Sequence, residues 1–310
     1  MEKIEDLNWD VIIIGGGTAG ISAALWCDEL GLNALLLEAK PELGGQLLRV
    51  YNPIKNHLGA SAENGLEMRD IFLKQIENRK FTVEFESEVS DVDLENKKVS
   101  LENGKRFSAK FLIIAAGVRR RKLNIEGEEE FKNRGIIESG KRHQNSVKGK
   151  RVCIIGGGDA ALENALILAE TAAQIYLVHR RAEFSARREF VEKVRSNKKI
   201  KIFTETAAAK ILGKEFVESV ELHDLKNGQL SNLSVESVLT RIGVEPNTEI
   251  FQGKINLNKK GYIEIDANCE TSLETIYAVG DVANPFSPTI SSAVGMGATA
   301  AKTIFEKLNN

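Results

Sequence analysis

A glycine-rich turn between an apolar strand and a helix occurs twice in this chain, at a constant offset. Val11 to Ile14 is a short β-branched run that ends in Gly15-Gly16-Gly17-Thr18-Ala19-Gly20. Ile21 to Leu30 then reads as a helix stopped by Gly31, and Ala34 to Leu37 reads as a second strand ending at Glu38. The same syntax returns as Arg151 to Ile155, then Gly156-Gly157-Gly158-Asp159-Ala160-Ala161, a helix through about Ala172 and a strand from Gln174 to Val178. Gly15 to Gly156 and Glu38 to His179 are both 141 residues apart. One such turn is weak evidence, but two in register point to an α/β chain built from two Rossmann-like strand-helix-strand modules.

The spacing explains the residue types. Gly15 and Gly156 make tight turns, Gly17 and Gly158 let backbone approach a pyrophosphate, and Gly20 and Ala161 allow helix and strand to pack closely. Each helix N-terminus then faces the phosphates. Glu38, at the end of the second strand, can accept hydrogen bonds from both ribose hydroxyls of an adenosine half, as in FAD or NAD. In the second module that place is held by His179-Arg180-Arg181. A carboxylate there would repel a 2′-phosphate, whereas guanidinium groups grip one in charge-assisted bonds. At roughly 1.5–3 kcal/mol per charged bond, one or two contacts give on the order of a ten- to hundredfold preference, so the second module is expected to take NADPH.

Composition sets the outer limits. A chain of 310 residues, 42% hydrophobic and 28% charged, has the length for two cored domains. A formal charge of -2 gives no global drive toward nucleic acid, and no apolar run approaches the roughly 18 residues that span a bilayer. With an acidic N-terminus lacking a signal-peptide core, the expectation is a cytoplasmic protein with neither a nucleic-acid nor a membrane partner. No metal site is expected. Cys27, Cys153 and Cys269 form no Cys-x-x-Cys pair. Cys27 falls in the first helix and Cys153 in a central strand, so both are expected buried; Cys269, in a loop-like stretch, is expected exposed.

Taken together, these residues resemble the low-molecular-weight thioredoxin reductase family and the thioredoxin-reductase-like ferredoxin-NADP reductases. The resemblance rests on both glycine fingerprints and five further segments. These are Leu43-Gly44-Gly45-Gln46-Leu47, Ile54-Lys55-Asn56-His57-Leu58-Gly59, Ile113-Ile114-Ala115-Ala116-Gly117, His179-Arg180-Arg181 with Phe184, and Tyr277-Ala278-Val279-Gly280-Asp281-Val282. It implies an FAD-binding domain of residues 1–119 plus 245–310, split by an inserted NADPH-binding domain of residues 120–244. It further implies that Gly280 and Asp281 hold the flavin ribitol and phosphate, that Gly45, Gln46 and Asn56 lie near the isoalloxazine, and that Ala116 and Gly117 border the cofactor. Domain rotation, a family property, is expected through residues near Gly117 to Arg121 and Leu239 to Gly243. A homodimer is expected from the resemblance alone.

The chain departs from that family where its redox cysteines should fall. Those positions are Ser139 and Arg142, and disulfide exchange needs a thiolate and a resolving thiol. The segment is expected to face the flavin, with Arg142 placed to stabilise its reduced anionic form. Ser287-Pro288-Thr289-Ile290 replaces the polar Arg-Gln pair typical of thioredoxin reductases, and a protein without the C-terminal extension of many related ferredoxin-NADP reductases is expected. The leading expectation is an FAD-dependent NADPH oxidoreductase that passes electrons directly to an acceptor, a small oxidant or an acidic carrier protein. A ferredoxin- or flavodoxin-NADP reductase and a non-enzymatic FAD-binding regulator or scaffold stand as alternatives. The basic run Arg119-Arg120-Arg121-Lys122 is either a docking patch for an acidic carrier or a solvated hinge.

Overall fold

Trp9–Ile14 (β1) is buried along nearly its whole length, and its side chains alternate between two separate cores. Val11 and Ile13 pack on one face with Ala23 and Ala300, while Ile12 and Ile14 pack on the other with Val99, Phe107 and Phe251. A strand apolar on both sides belongs in the middle of a parallel sheet covered on both faces. The computed structural model describes residues 9–310, and these divide into two compact units, one running to Arg119 and resuming at Glu245–Asn310, the other Arg120–Val244.

In the first unit β1 is followed by α1 (Thr18–Glu29), β2 (Ala34–Leu37), α2 (Gly65–Ile76), β3 (Thr82–Glu84), β4 (Val89–Asp93), β5 (Lys98–Leu101) and β6 (Arg106–Ile114). β7 (Val118–Arg120) then leads out of the unit. The second unit contains β8 (Ile136–Ile137), α3 (Gly140–His143), β9 (Arg151–Gly156), α4 (Asp159–Ala169), β10 (Gln174–Val178), α5 (Arg188–Ser196), β11 (Ile200–Phe203), β12 (Thr206–Gly213), β13 (Val217–Asp224), β14 (Leu230–Ser234) and β15 (Ser237–Arg241). β16 (Val244–Pro246) leads back, and β17 (Ile276–Ala278) and α6 (Ile290–Asn309) complete the first unit.

The first unit's sheet runs β3-β2-β1-β6-β5-β4, with β17 also on β6. The β1, β2, β3, β6 and β17 pairings are parallel, and β4-β5-β6 is an antiparallel extension. The second unit's sheet, β11-β10-β9-β15-β8, is parallel throughout, beside the antiparallel sheet β12-β13-β14. Each unit thus carries helices on one face of its parallel sheet and antiparallel strands on the other, as the two core clusters of each show. This is an α/β fold with two Rossmann-like units. The 141-residue offset extends into the structure, since it also separates Thr18 from Asp159, the first residues of α1 and α4.

Three expectations need correction. The first helix begins at Thr18 rather than Ile21, because Gly17 is its N-cap, and the second ends at Ala169 rather than near Ala172. Leu239 to Arg241, within the stretch expected near a hinge, lie in β15, paired with β9 and, at Leu239, with β8, and the chain passes from this unit to the first after Val244. Cys269 is buried, 4% exposed, because its loop folds back with the Cys269 N–H donating to the Asp266 carbonyl and its side chain joining the core beside Tyr277 and Val279.

Candidate functional site

The first glycine turn opens into a cavity of about 820 Å³ within the first unit, a volume that suits a large organic ligand. Its construction begins with close backbone approach. A Cβ on Gly20 would lie 1.9 Å from the Gly15 carbonyl oxygen, so only glycine lets α1 start this close to β1. Gly45, at φ +54°, would carry a Cβ 2.8 Å from the Gly17 Cα, and the two glycines leave a bare backbone wall. Gly17 caps α1 without a side-chain acceptor, so the first-turn N–H groups beside the cavity are left for a ligand. Glu38 sits at the end of β2, buried. Its Oε2 accepts the Gly16 N–H at 2.7 Å and its Oε1 the Lys40 N–H at 2.9 Å, which fixes the carboxylate while each oxygen keeps acceptor capacity.

Other loops close the cavity. The Gln46 side-chain amide donates to the Val118 carbonyl at 2.7 Å, and Asn56 lies exposed on the wall. Ala116 and Gly117 are tied down by Asn247: its side-chain amide donates to the Ala116 carbonyl at 2.7 Å, and its backbone N–H to that of Gly117 at 3.0 Å. Arg119 in turn donates to the Asn247 side-chain oxygen at 3.1 Å. Sequence reasoning missed Asn247, whose one signal was a Pro246-Asn247 turn where the chain re-enters this unit. Gly280 and Asp281 line the opposite wall, and burial pushes the Asp281 carboxyl above the ordinary carboxylate range. Thr289, from the segment expected to contact a flavin edge, caps α6 in a reciprocal box with Ser292 while Pro288 and Ile290 line the cavity.

The second turn repeats this plan with different side chains. Gly156 lies against the Arg241 carbonyl, and Gly158 caps α4, again without a side-chain acceptor. Where Glu38 meets Gly16, His179 meets Gly157: a Cβ on Gly157 would lie 2.2 Å from the imidazole. The ring is buried, stacks on Phe184 at 5.3 Å, and its Nε2–H donates to the Glu183 carbonyl at 3.0 Å. Burial, assisted by the Arg181 and Arg180 charges, holds its pKa below the usual histidine value against the raising effect of the Glu183 bond. His179 is therefore a neutral floor under the turn. Arg180 and Arg181 follow it, both exposed, and among the described residues neither takes part in an ion pair. Arg187, by contrast, donates to both Asp159 oxygens, at 2.7 Å from its backbone N–H and 2.8 Å from Nε, neutralising the acid in the first turn of α4.

Comparison with known proteins identifies this arrangement. The chain matches the pyridine nucleotide-disulphide oxidoreductase family over residues 9–300. It belongs to that family. It is 31% identical over 302 residues to a thioredoxin reductase from Ureaplasma parvum, covering 94% of both chains. It is 30% identical over 298 residues to the 34.2 kDa protein in the rubredoxin operon of Clostridium pasteurianum, covering 96% of both. Among solved structures it superposes on the Lactococcus lactis thioredoxin reductase with a TM-score of 0.85, at 29% identity over 96% of this chain and 98% of that one. The T. acidophilum thioredoxin reductase gives 0.82 at 25% identity, covering 98% and 99%. The chain is thus a thioredoxin reductase-like oxidoreductase, of a type that uses FAD and NADPH.

Within this pyridine nucleotide-disulphide oxidoreductase, Ser139 and Arg142 bracket a single helical turn. Ser139 is buried and its hydroxyl accepts the Arg142 N–H at 3.4 Å, the Gly140 N–H donates to Asn164 Oδ1 at 2.6 Å, and the exposed Arg142 guanidinium stands 3.6 Å from the Glu138 carboxylate. Burial pushes the Cys27 and Cys153 thiols up to about 12 and Cys269 up to about 11. All three cysteines are free. The basic run is largely spent on local partners. Arg119 pairs with Glu245 at 2.9 Å and with Glu249, Lys122 pairs with Glu129 at 2.5 Å, Arg120 donates to the Glu138 carbonyl at 2.6 Å, and Arg121 to that of Val244 at 2.9 Å. Two of its four charges, those of Arg119 and Lys122, are thus met by carboxylates, which favours the solvated-hinge reading over a docking patch. No helix among the described residues is long and apolar enough to cross a membrane.

Proposed function

We propose that this chain binds FAD in the cavity of the first unit and NADPH along the glycine turn of the second, and that reduced flavin passes electrons directly to an acceptor without an internal disulfide. The observation that carries the reading is the contrast at one position in two units of the same plan: a buried carboxylate after β2, and after β10 two exposed arginines that form no ion pair among the described residues. The first suits the ribose hydroxyls of FAD, the second the 2′-phosphate of NADPH.

The residues fit both groups. Gly17 and Gly45 leave room for a diphosphate against the α1 N-terminus, Glu38 and Asp281 offer acceptors to hydroxyls, and Asn247 holds the Ala116–Gly117 backbone in place. FAD, when bound, supplies the centre that takes hydride from NADPH and releases electrons. The chain supplies binding, orientation and exclusion of water. Direct transfer is supported by the serine and arginine at positions 139 and 142 and by three buried thiols far from ionisation at neutral pH. The reading carries a cytoplasmic homodimer on the family resemblance.

The test is an anaerobic titration of the FAD-loaded protein with NADPH and, separately, NADH, following the flavin absorption. Rapid bleaching by NADPH and little by NADH is the expected result. Bleaching by neither would overturn the reading in favour of a non-enzymatic FAD-binding protein.

A further inference from the structure

The second unit carries another pair of arginines, on the other side of its glycine turn from Arg180 and Arg181. Arg241 is the last residue of β15, in register with Gly156 at the end of β9, and its carbonyl is what a Cβ on Gly156 would strike. Its guanidinium reaches away from that turn: Nη2 donates to the Glu138 carbonyl at 2.6 Å, beyond the end of β8 on the neighbouring side, and Nη1 to the Thr240 carbonyl at 3.3 Å. Arg120 donates to the same Glu138 oxygen at 2.6 Å. Two guanidinium groups therefore converge on one neutral carbonyl. Burial first, and the Arg120 charge second, pull the Arg241 pKa down to about 10, against the opposing effect of Glu138 and Glu163, so the group stays charged at neutral pH.

Its position in the sheet says which ligand can reach it. The order β10-β9-β15-β8 is parallel, so the residues after β10, the Gly156 turn, Arg241 and Glu138 share one edge, the edge where ligands of open parallel sheets bind. At about 4.8 Å per strand, the ends of β10 and β8 are roughly 14 Å apart. A dinucleotide with its adenosine 2′-phosphate at Arg180 and Arg181 and its diphosphate over the glycine turn must carry its second half across β15.

We infer that Arg241, braced with Arg120 on the Glu138 carbonyl, binds the nicotinamide-bearing half of NADPH. This rests on the proposed NADPH site in the same unit. Guanidinium donors suit the phosphate oxygen and ribose hydroxyls of that half, and the shared carbonyl holds the fork in place before the ligand arrives.

Calorimetric titration of the FAD-loaded protein with two ligands, NADP⁺ and 2′,5′-ADP, separates the roles, because the second lacks the nicotinamide half. Arg241→Gln is expected to weaken NADP⁺ about tenfold, the lower end for one charged bond, and to leave 2′,5′-ADP unchanged. Arg241→Lys is expected to recover part of the loss. Equal loss for both ligands, or loss for neither, overturns the inference. Arg181→Gln checks the underlying reading separately: it should weaken both ligands. If it weakens neither, or if the wild-type protein binds neither, the NADPH site itself is wrong and the inference falls with it.

Discussion

Glu38 holds the glycine turn that precedes it, its Oε2 accepting the Gly16 N–H at 2.7 Å from a buried position. The residue is thus a structural partner of the turn as well as an acceptor for a ligand. Glu38→Ala leaves the buried Gly16 N–H without that acceptor, a cost of about 1–3 kcal/mol, and removes the acceptor for ribose hydroxyls. The expected outcome is a lower melting temperature of the apoprotein and loss of FAD during gel filtration. Full FAD occupancy in the purified variant would show that the cavity holds its ligand by other means.

Arg180 and Arg181 are exposed and without ion-pair partners among the described residues, so replacing them leaves no buried group unsatisfied. Arg180→Gln together with Arg181→Gln should raise the KM for NADPH on the order of ten- to a hundredfold while leaving that for NADH and the melting temperature nearly unchanged. Because both charges help hold the His179 pKa down, the same variant should move that pKa up toward the ordinary histidine value, which a pH titration by NMR reads directly.

Much of this architecture was legible in the sequence, for reasons that can be named. Ala34–Leu37 and Gln174–Val178 were readable to the residue, because buried parallel strands are short apolar runs bounded by turn signals. The glycine turns were readable because backbone approach within 3 Å tolerates no other residue at Gly20. What escaped was what depends on chain distant in sequence. Asn247 acts on Ala116, 131 positions away, and the one local mark, the preceding Pro246, says nothing of that partner. Cys269 looked exposed because its neighbours are polar, yet its loop turns at a φ of +66° and buries the thiol against the sheet. Arg119 and Lys122 looked like free charge because their partners Glu245, Glu249 and Glu129 lie outside the run.

The thiols give a stoichiometric prediction. With Cys27 and Cys153 at about 12 and Cys269 at about 11, the thiolate fraction near neutral pH is negligible. Iodoacetamide should leave NADPH-driven flavin reduction unaffected. One equivalent of NADPH, two electrons, should bleach the flavin completely under anaerobic conditions. A requirement for two equivalents would reveal a second two-electron centre and overturn direct transfer.

Asp281 should reveal a conflict between stability and binding. Burial raises its carboxyl pKa above the unfolded value of 3.8, so the folded apoprotein disfavours the charged form. The associated stability is fully present below the unfolded pKa and is lost as pH rises through the folded one, so at neutral pH the apoprotein bears the whole penalty. Asp281→Asn removes that penalty while nearly preserving shape. The variant apoprotein should melt higher than wild type at pH 7, with the gap narrowing as pH falls toward the carboxylate range. Its affinity for FAD should fall on the order of tenfold, the value of one hydrogen bond to a charged acceptor, so that FAD raises the melting temperature of the wild type more than that of the variant. Calorimetric melts of both proteins with and without FAD across that pH range check both halves. Equal stabilisation by FAD would mean that Asp281 makes no contact with the cofactor, and that its strained ionisation serves something other than binding.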